Sequence, residues 1–260
     1  MLIALTRTIS PKLAECELTH LDREPIDLAL AERQHRQYQK LLAAIGCTLM
    51  ELQVEPELPD SVFVEDTAIV LDEIAVMTRP GAISRRPESE SVAATLKRYR
   101  PLFWIKAPGQ LDGGDVLRIG RSLYVGQSGR SNADGIAQLR QLLHPFGYEV
   151  CAVPIRGCLH LKSAVTALDD KTVLVQPDWV DRSSFDGFRI IEVDPEEAHA
   201  ANVLRIGEQL VMPHCFPRTQ QRIQSAGFNV NVVDVSELQK AEGAVTCCSI
   251  VFDANETTAA

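Results

Sequence analysis

The chain has 260 residues, 45% hydrophobic and 23% charged, the profile of an ordinary globular protein able to bury a sizeable core. Its 35 acidic side chains outnumber 26 Lys and Arg, and the resulting charge of −9 argues against nucleic-acid or anionic-membrane partners while suiting a small cationic ligand. No apolar run approaches the roughly 20 residues that span a bilayer, the start lacks a signal-peptide layout, and seven scattered cysteines form neither a disulfide framework nor a zinc-ligand spacing, so a cytoplasmic setting is expected.

Leu2 to Leu5 opens the chain as an apolar strand. Pro25-Ile26-Asp27 predicts a helix start, with Leu30, Gln34, Tyr38, Leu41, Leu42 and Ile45 on one face, a stop at Gly46, and an extended run from Thr48 to Val54. One layout then recurs: a short apolar run, a turn, a second apolar run. It occurs at Asp66 to Leu71 with Ile74 to Thr78, and at Asp115 to Gly120 with Ser122 to Gly126. It returns at Ser163 to Leu168 with Thr172 to Val175, and at Asn202 to Gly207 with Gln209 to Pro213. Helical spacing of Ile136, Leu139, Leu142 and Leu143 precedes a strand from Tyr148 to Pro154, and Arg222 to Ala226 precedes one from Asn229 to Val233. Joining Cys248 to Phe252 with Leu2 to Leu5 completes a fifth unit. These patterns predict an α/β fold of five ββαβ units closed into a ring with pseudo-five-fold symmetry. A mixed α/β sandwich is the alternative. We read 1–252 as a single domain and 253–260 as a polar tail expected to be disordered.

The distinctive strings cluster where the hairpins open, at one end of such a ring. They are Pro59 to Asp66, Leu111-Asp112-Gly113-Gly114-Asp115, Leu159-His160-Leu161-Lys162-Ser163 and Thr246-Cys247-Cys248-Ser249. Each alone has a plain reading: Asp-Gly-Gly-Asp as a turn, His160 as a core histidine, and the Cys pair, expected inside an apolar strand, as packing. Together they deliver carboxylates, one His and one Cys to a common axial place, where polar side chains are costly unless they bind something.

These strings, with Arg79-Pro80-Gly81-Ala82 and Ser84-Arg85-Arg86, resemble the dimethylarginine dimethylaminohydrolases of the guanidino-group-modifying (pentein, or α/β-propeller) superfamily over nearly the whole chain. The resemblance implies Cys247 as nucleophile, His160 as general acid/base and Asp112 as the carboxylate that orients it. It implies Glu65 and Asp66 gripping a guanidinium beside Phe63, and Asp60 holding the substrate's α-amino group. Arg85 and Arg130 would take the α-carboxylate, and Leu18 would offer a backbone carbonyl from a mobile lid. The expected partner is an arginine derivative, and the expected product citrulline plus methylamine or dimethylamine. No cofactor or metal is expected, and the oligomeric state stays open, a homodimer being one option. The rivals are an arginine deiminase-like activity on the same fold and a non-enzymatic, ribosome-binding protein of that fold. The chemistry fits the residues: a planar guanidinium suits paired carboxylates, and cysteine attacks as a thiolate.

Overall fold

A computed structural model describes residues 1–254. β1 (Leu2–Arg7) runs parallel to β2 (Thr48–Leu52), with helix α1 (Leu28–Ala44) as the crossover. β3 (Ala68–Val70) and β4 (Ala75–Met77) form a hairpin, and α2 (Ser89–Leu96) leads to β5 (Leu102–Trp104), parallel to β4. β6 (Val116–Ile119), β7 (Ser122–Gln127), α3 (Ala133–Leu143) and β8 (Glu149–Pro154) repeat that plan. A one-turn helix α4 (Leu161–Ala164) introduces the hairpin of β9 (Val165–Ala167) and β10 (Thr172–Val175), with β11 (Arg189–Glu192) parallel to β10. The plan returns in β12 (Leu204–Ile206), β13 (Gln209–Pro213), α5 (Pro217–Ser225) and β14 (Asn229–Val233). After α6 (Ser236–Gln239), β15 (Ile250–Asp253) pairs antiparallel with β1, Leu5 against Ile250 and Leu2 against Asp253. The described residues thus form five three-stranded sheets, the first closed by the two ends of the chain.

Burial explains the closure. Each of the five apolar clusters takes side chains from two adjacent units, as where Ile3 and Leu5 of β1 meet Met77 of β4 and Leu96 of α2. Tyr38 and Leu42 of α1 likewise meet Val211 and Val233 of the fifth unit. No unit owns a core, so none can bury its apolar face without both neighbours.

Several local expectations need correction. The fourth unit lacks a crossover helix: between β10 and β11 lies a single 3-10 turn, Arg182–Phe185, in a segment where Pro177, Asp181, Ser183 and Gly187 favour turns. Buried Phe185 fills the missing helix's place, its ring centroid 5.1 Å from that of Tyr124. The strands also begin later than the apolar runs suggest. Asp66 lies on the 3-10 turn Val64–Thr67, Asp115 on Gly113–Asp115, and Ser163 within α4. The face of α1 is rotated: Ala31, Gln34, His35, Tyr38, Gln39 and Leu42 are buried, whereas Leu30, Leu41 and Ile45 are half-buried. Gln34 is buried because its amide donates to Ser236 Oγ at 2.8 Å and its carbonyl oxygen accepts from Glu237 N at 3.0 Å. Of the expected tail, Asp253 belongs to β15 and Ala254 N donates to Met1 O at 2.8 Å. Residues 255–260 lie outside the described residues. Among those described, no helix is long and apolar enough to cross a membrane.

Candidate active site

The turns that open the units interlock. Asp66 Oδ1 accepts from Gly114 N at 2.9 Å, Asp115 Oδ1 from Leu161 N at 2.9 Å, and Asn202 Oδ1 from Thr246 N at 3.1 Å. Glu65 N donates to Cys247 O at 3.2 Å. A carboxylate or amide in one unit therefore satisfies an amide of the next unit's turn, fixing the segments that carry the chemical side chains. The paired glycines permit this: a Cβ on Gly113 would sit 2.0 Å from Glu65 O, and one on Gly114 2.5 Å from His160 Nδ1.

His160 precedes α4 and is buried between two carboxylates. Its Nε2 is 3.1 Å from Asp112 Oδ2, and its Nδ1 is 3.8 Å from Asp66 Oδ1. Burial alone would depress its pKa, but Asp66, the hydrogen bond to Asp112 and the charge of Asp115 raise it to about 9, so the ring is an imidazolium at neutral pH. In return His160 and Arg85, opposing the burial that favours the neutral acid, hold Asp66 at about 2. Asp112 is fully buried behind the imidazole, and its Oδ1 accepts from Gly81 N at 2.9 Å.

Cys247 and Cys248 lie in a turn ahead of β15, not inside a strand as expected. Cys247 is half-buried, whereas Cys248 is sealed in the core, its Sγ 3.3 Å from Ala244 O. Burial and the charges of Glu65 and Asp66 push the Cys247 thiol up to about 12. Glu65 itself is paired with Lys162 and accepts from Thr246 Oγ1 at 2.9 Å, and burial raises its pKa.

Cys247 and His160 border two lobes of space. The inner lobe, about 20 Å³, is lined by Asp60, Phe63, Asp66, Arg85, Arg130 and Glu242, among others. The outer lobe, about 350 Å³, reaches past Glu65 and Lys162 to Trp179, His199 and Phe216. Behind the Glu65–Lys162 pair, a further cavity of about 330 Å³ follows the ring axis between the first strands of the units.

Eight of the ten expected site residues thus border the lobes. Asp112 stands behind His160, and Leu18 packs its side chain on the core while its neighbours Glu17, His20 and Leu21 line the space. Arg85 is buried with its guanidinium committed to Asp66 (2.7 Å), Glu88 (2.9 Å) and the carbonyls of Phe63 and Asp60. Arg130 is less committed, donating to Thr19 Oγ1 at 3.0 Å with Asp112 Oδ2 4.0 Å away. Asp60 Oδ2 accepts from Glu17 N at 3.1 Å.

Sequence reasoning assigned no role to Lys162, Asn202, Thr246 or Glu242. The repeat offered a signal for Asn202, which opens its hairpin where Asp66 and Asp115 open theirs; it bonds both Thr246 and Lys162 O. Lys162 carried a signal in its spacing from His160 within an apolar run. Asp66, Asp112 and His160 place ligand atoms within 4.8 Å of one another, yet each is engaged by the others or by Arg85, Gly81 and Gly114. That cluster holds an imidazolium in the place a cation would take.

The family model for arginine deiminase matches residues 32–210. An N(G),N(G)-dimethylarginine dimethylaminohydrolase of Streptomyces coelicolor is 44% identical over 248 residues, 95% of this chain and 95% of the relative. The chain belongs to the dimethylarginine dimethylaminohydrolase family. Its structure superposes on the Pseudomonas aeruginosa family member, a cysteine-to-serine mutant complexed with citrulline, with a TM-score of 0.92 at 35% identity, covering 96% of this chain and 98% of that one. A dimethylarginine dimethylaminohydrolase histidine-to-glycine mutant, solved as an adduct with S-methyl-L-thiocitrulline, gives a TM-score of 0.91 at 35% identity, covering 97% of this chain and all of the other. In this family member the five interlocked turns are the frame that holds cysteine, histidine and carboxylates at one end of the ring.

Proposed function

We propose that this chain hydrolyses Nω-methylated arginine to citrulline and methylamine or dimethylamine, through a thiouronium intermediate on Cys247. One observation carries the reading. Cys247 and an imidazolium, His160, border the same two lobes, beside a carboxylate held ionised (Asp66) and one paired with lysine (Glu65). The relatives' complexes with citrulline and a thiocitrulline adduct support it.

The steps follow from the charges. In the free enzyme, burial and two negative neighbours keep Cys247 protonated. A guanidinium arriving beside Glu65 and Asp66 cancels their potential, so the thiol can release its proton to solvent through the outer lobe, leaving a thiolate where the electrophile sits. The thiolate forms a bond to the guanidinium carbon. His160 passes its proton to the methylated nitrogen, the C–N bond breaks and the amine leaves. The neutral imidazole then takes a proton from water as its oxygen attacks the thiouronium carbon. The C–S bond breaks and the adduct's hydroxyl proton passes to the departing sulfur, restoring the thiol of the free enzyme and leaving a urea. Asp112 holds the ring through both transfers. At the amino-acid end, Asp60 pairs with the ammonium and Arg130 with the carboxylate, Arg85 adding positive charge from behind Asp66, and the Leu18 carbonyl closes over the ammonium. Seven thiols that pair with none of one another suit a reducing, cytoplasmic setting.

The competing reading is deimination of unmodified arginine. A site that grips every terminal N–H rejects methylation, because each methyl leaves a buried acceptor unpaired, at about 1–3 kcal/mol each. We expect kcat/KM for asymmetric dimethylarginine and monomethylarginine to exceed that for arginine, read as citrulline release under one set of conditions. A preference for arginine would overturn the substrate assignment.

A further inference from the structure

Glu242 is the only non-glycine residue with positive φ among those described, at +57°. A glutamate pays conformational strain there that glycine would not. Its carboxylate accepts from three consecutive backbone N–H groups of the segment over the site: Thr19 (3.0 and 3.1 Å), His20 and Leu21 (2.7 Å). Residues 19–25 are exposed and carry neither helix nor strand, so polar contacts, not apolar burial, seat this part of the chain. Two more such contacts are Glu17 N to Asp60 Oδ2 at 3.1 Å and Arg130 Nη2 to Thr19 Oγ1 at 3.0 Å.

Asp60 and Arg130 are also the groups assigned above to the substrate's ammonium and carboxylate. A substrate entering the inner lobe competes with the segment for both. The Glu242 carboxylate, by contrast, is already shared among three main-chain amides of the segment. Glu242 also precedes Gly243, where a Cβ would meet the Phe63 ring at 2.2 Å, and leads directly into the turn that carries Cys247.

We propose that Glu242 is a positioning residue: it latches residues 19–21 while Asp60 and Arg130 exchange lid contacts for substrate contacts, so that the segment stays seated over the site. The exchange rests on the reading given under Proposed function; the latch itself does not. Glu242→Gly separates the latch from the fold, because it removes the carboxylate and the unfavourable φ together. We expect its melting temperature to be unchanged or higher, and native trypsin cleavage after Arg23 to be about tenfold faster or more. KM for dimethylarginine should rise about tenfold while kcat changes less than about threefold. Glu242→Gln, which keeps one acceptor oxygen, should recover part of both effects. Unchanged cleavage and KM in Glu242→Gly would overturn the latch, as would a fall in melting temperature with parallel loss of kcat, the mark of a merely structural residue. Trypsin needs no substrate. Faster cleavage in a protein that turns over no methylated arginine would therefore leave the latch standing and remove the proposed activity.

Discussion

A thiol becomes a nucleophile only where its proton can leave, and the two adjacent cysteines differ in that respect. Cys248 is surrounded by the core between α1 and the fifth unit, where burial drives its pKa well above the ordinary value and nothing cationic can approach. Cys247 is also raised, but it borders both lobes, so a bound guanidinium can reverse the effect. Sequence alternation predicts that one of the pair faces the cavity because both lie in a strand. The divergence here comes instead from one step around a turn. Cys247→Ser should lower kcat by about 10³-fold or more. Cys248→Ala should keep kcat within about threefold and cost roughly 1 kcal/mol of stability from the small cavity left behind. Steady-state kinetics and urea unfolding of both variants test this, and equal loss of activity in the two would refute the assignment.

At the scale of elements, the proposed catalytic side chains sit on or beside short turns placed before the first strand of a unit. Gly114 lies on such a turn, and its missing side chain leaves room for the imidazole: a Cβ would be 2.5 Å from His160 Nδ1 and 2.7 Å from Asp66 Oδ1. Gly114→Ala should therefore displace His160, lowering kcat about tenfold to a hundredfold while the far-ultraviolet dichroism stays native. Unaltered kcat would mean that the imidazole has slack that the contacts do not suggest. The hairpins and their order were legible in the sequence because each apolar run is bounded by turn residues. The turns themselves were not, since three or four residues such as Val64–Thr67 or Gly113–Asp115 carry no period that separates a 3-10 turn from a strand end. The rotated face of α1 was hidden for another reason: buried Gln34, His35 and Gln39 read as polar until their tertiary partners are known. Glu242 gave no local signal at all, because its partners lie more than 220 positions away in the chain.

For the whole molecule, closing the ring gathers charge at its axis, and stability must then depend on pH. His160 holds a proton in the folded state with a pKa of about 9, against an ordinary 6.5, because Asp66, Asp112 and Asp115 surround it. Between those values the folded chain keeps a proton that the unfolded chain has lost, so stability falls as pH rises. The contribution is full below pH 6.5 and gone above about 9. Buried Glu88, raised to about 7, acts in the same direction up to that pH, whereas His35, lowered to about 4 by burial, opposes it only below 6.5. The window from pH 7 to about 8 therefore reports mainly on His160, because closer to pH 9 the thiols of Cys247, Cys248 and Cys158, raised by burial, add to the same decline as their unfolded counterparts ionise. At about 1.4 kcal/mol per pKa unit, the loss across the full shift is on the order of 3 kcal/mol, a fall of several degrees in melting temperature for a chain of this size. Calorimetric melts of the wild type from pH 6.5 to 9 should show that decline. His160→Gln, which has no proton to lose there, should be nearly flat between pH 7 and about 8. A wild-type midpoint that held constant or rose with pH would mean that the imidazole between Asp66 and Asp112 is neutral in the free enzyme, and that the proton for the leaving amine must come with the substrate.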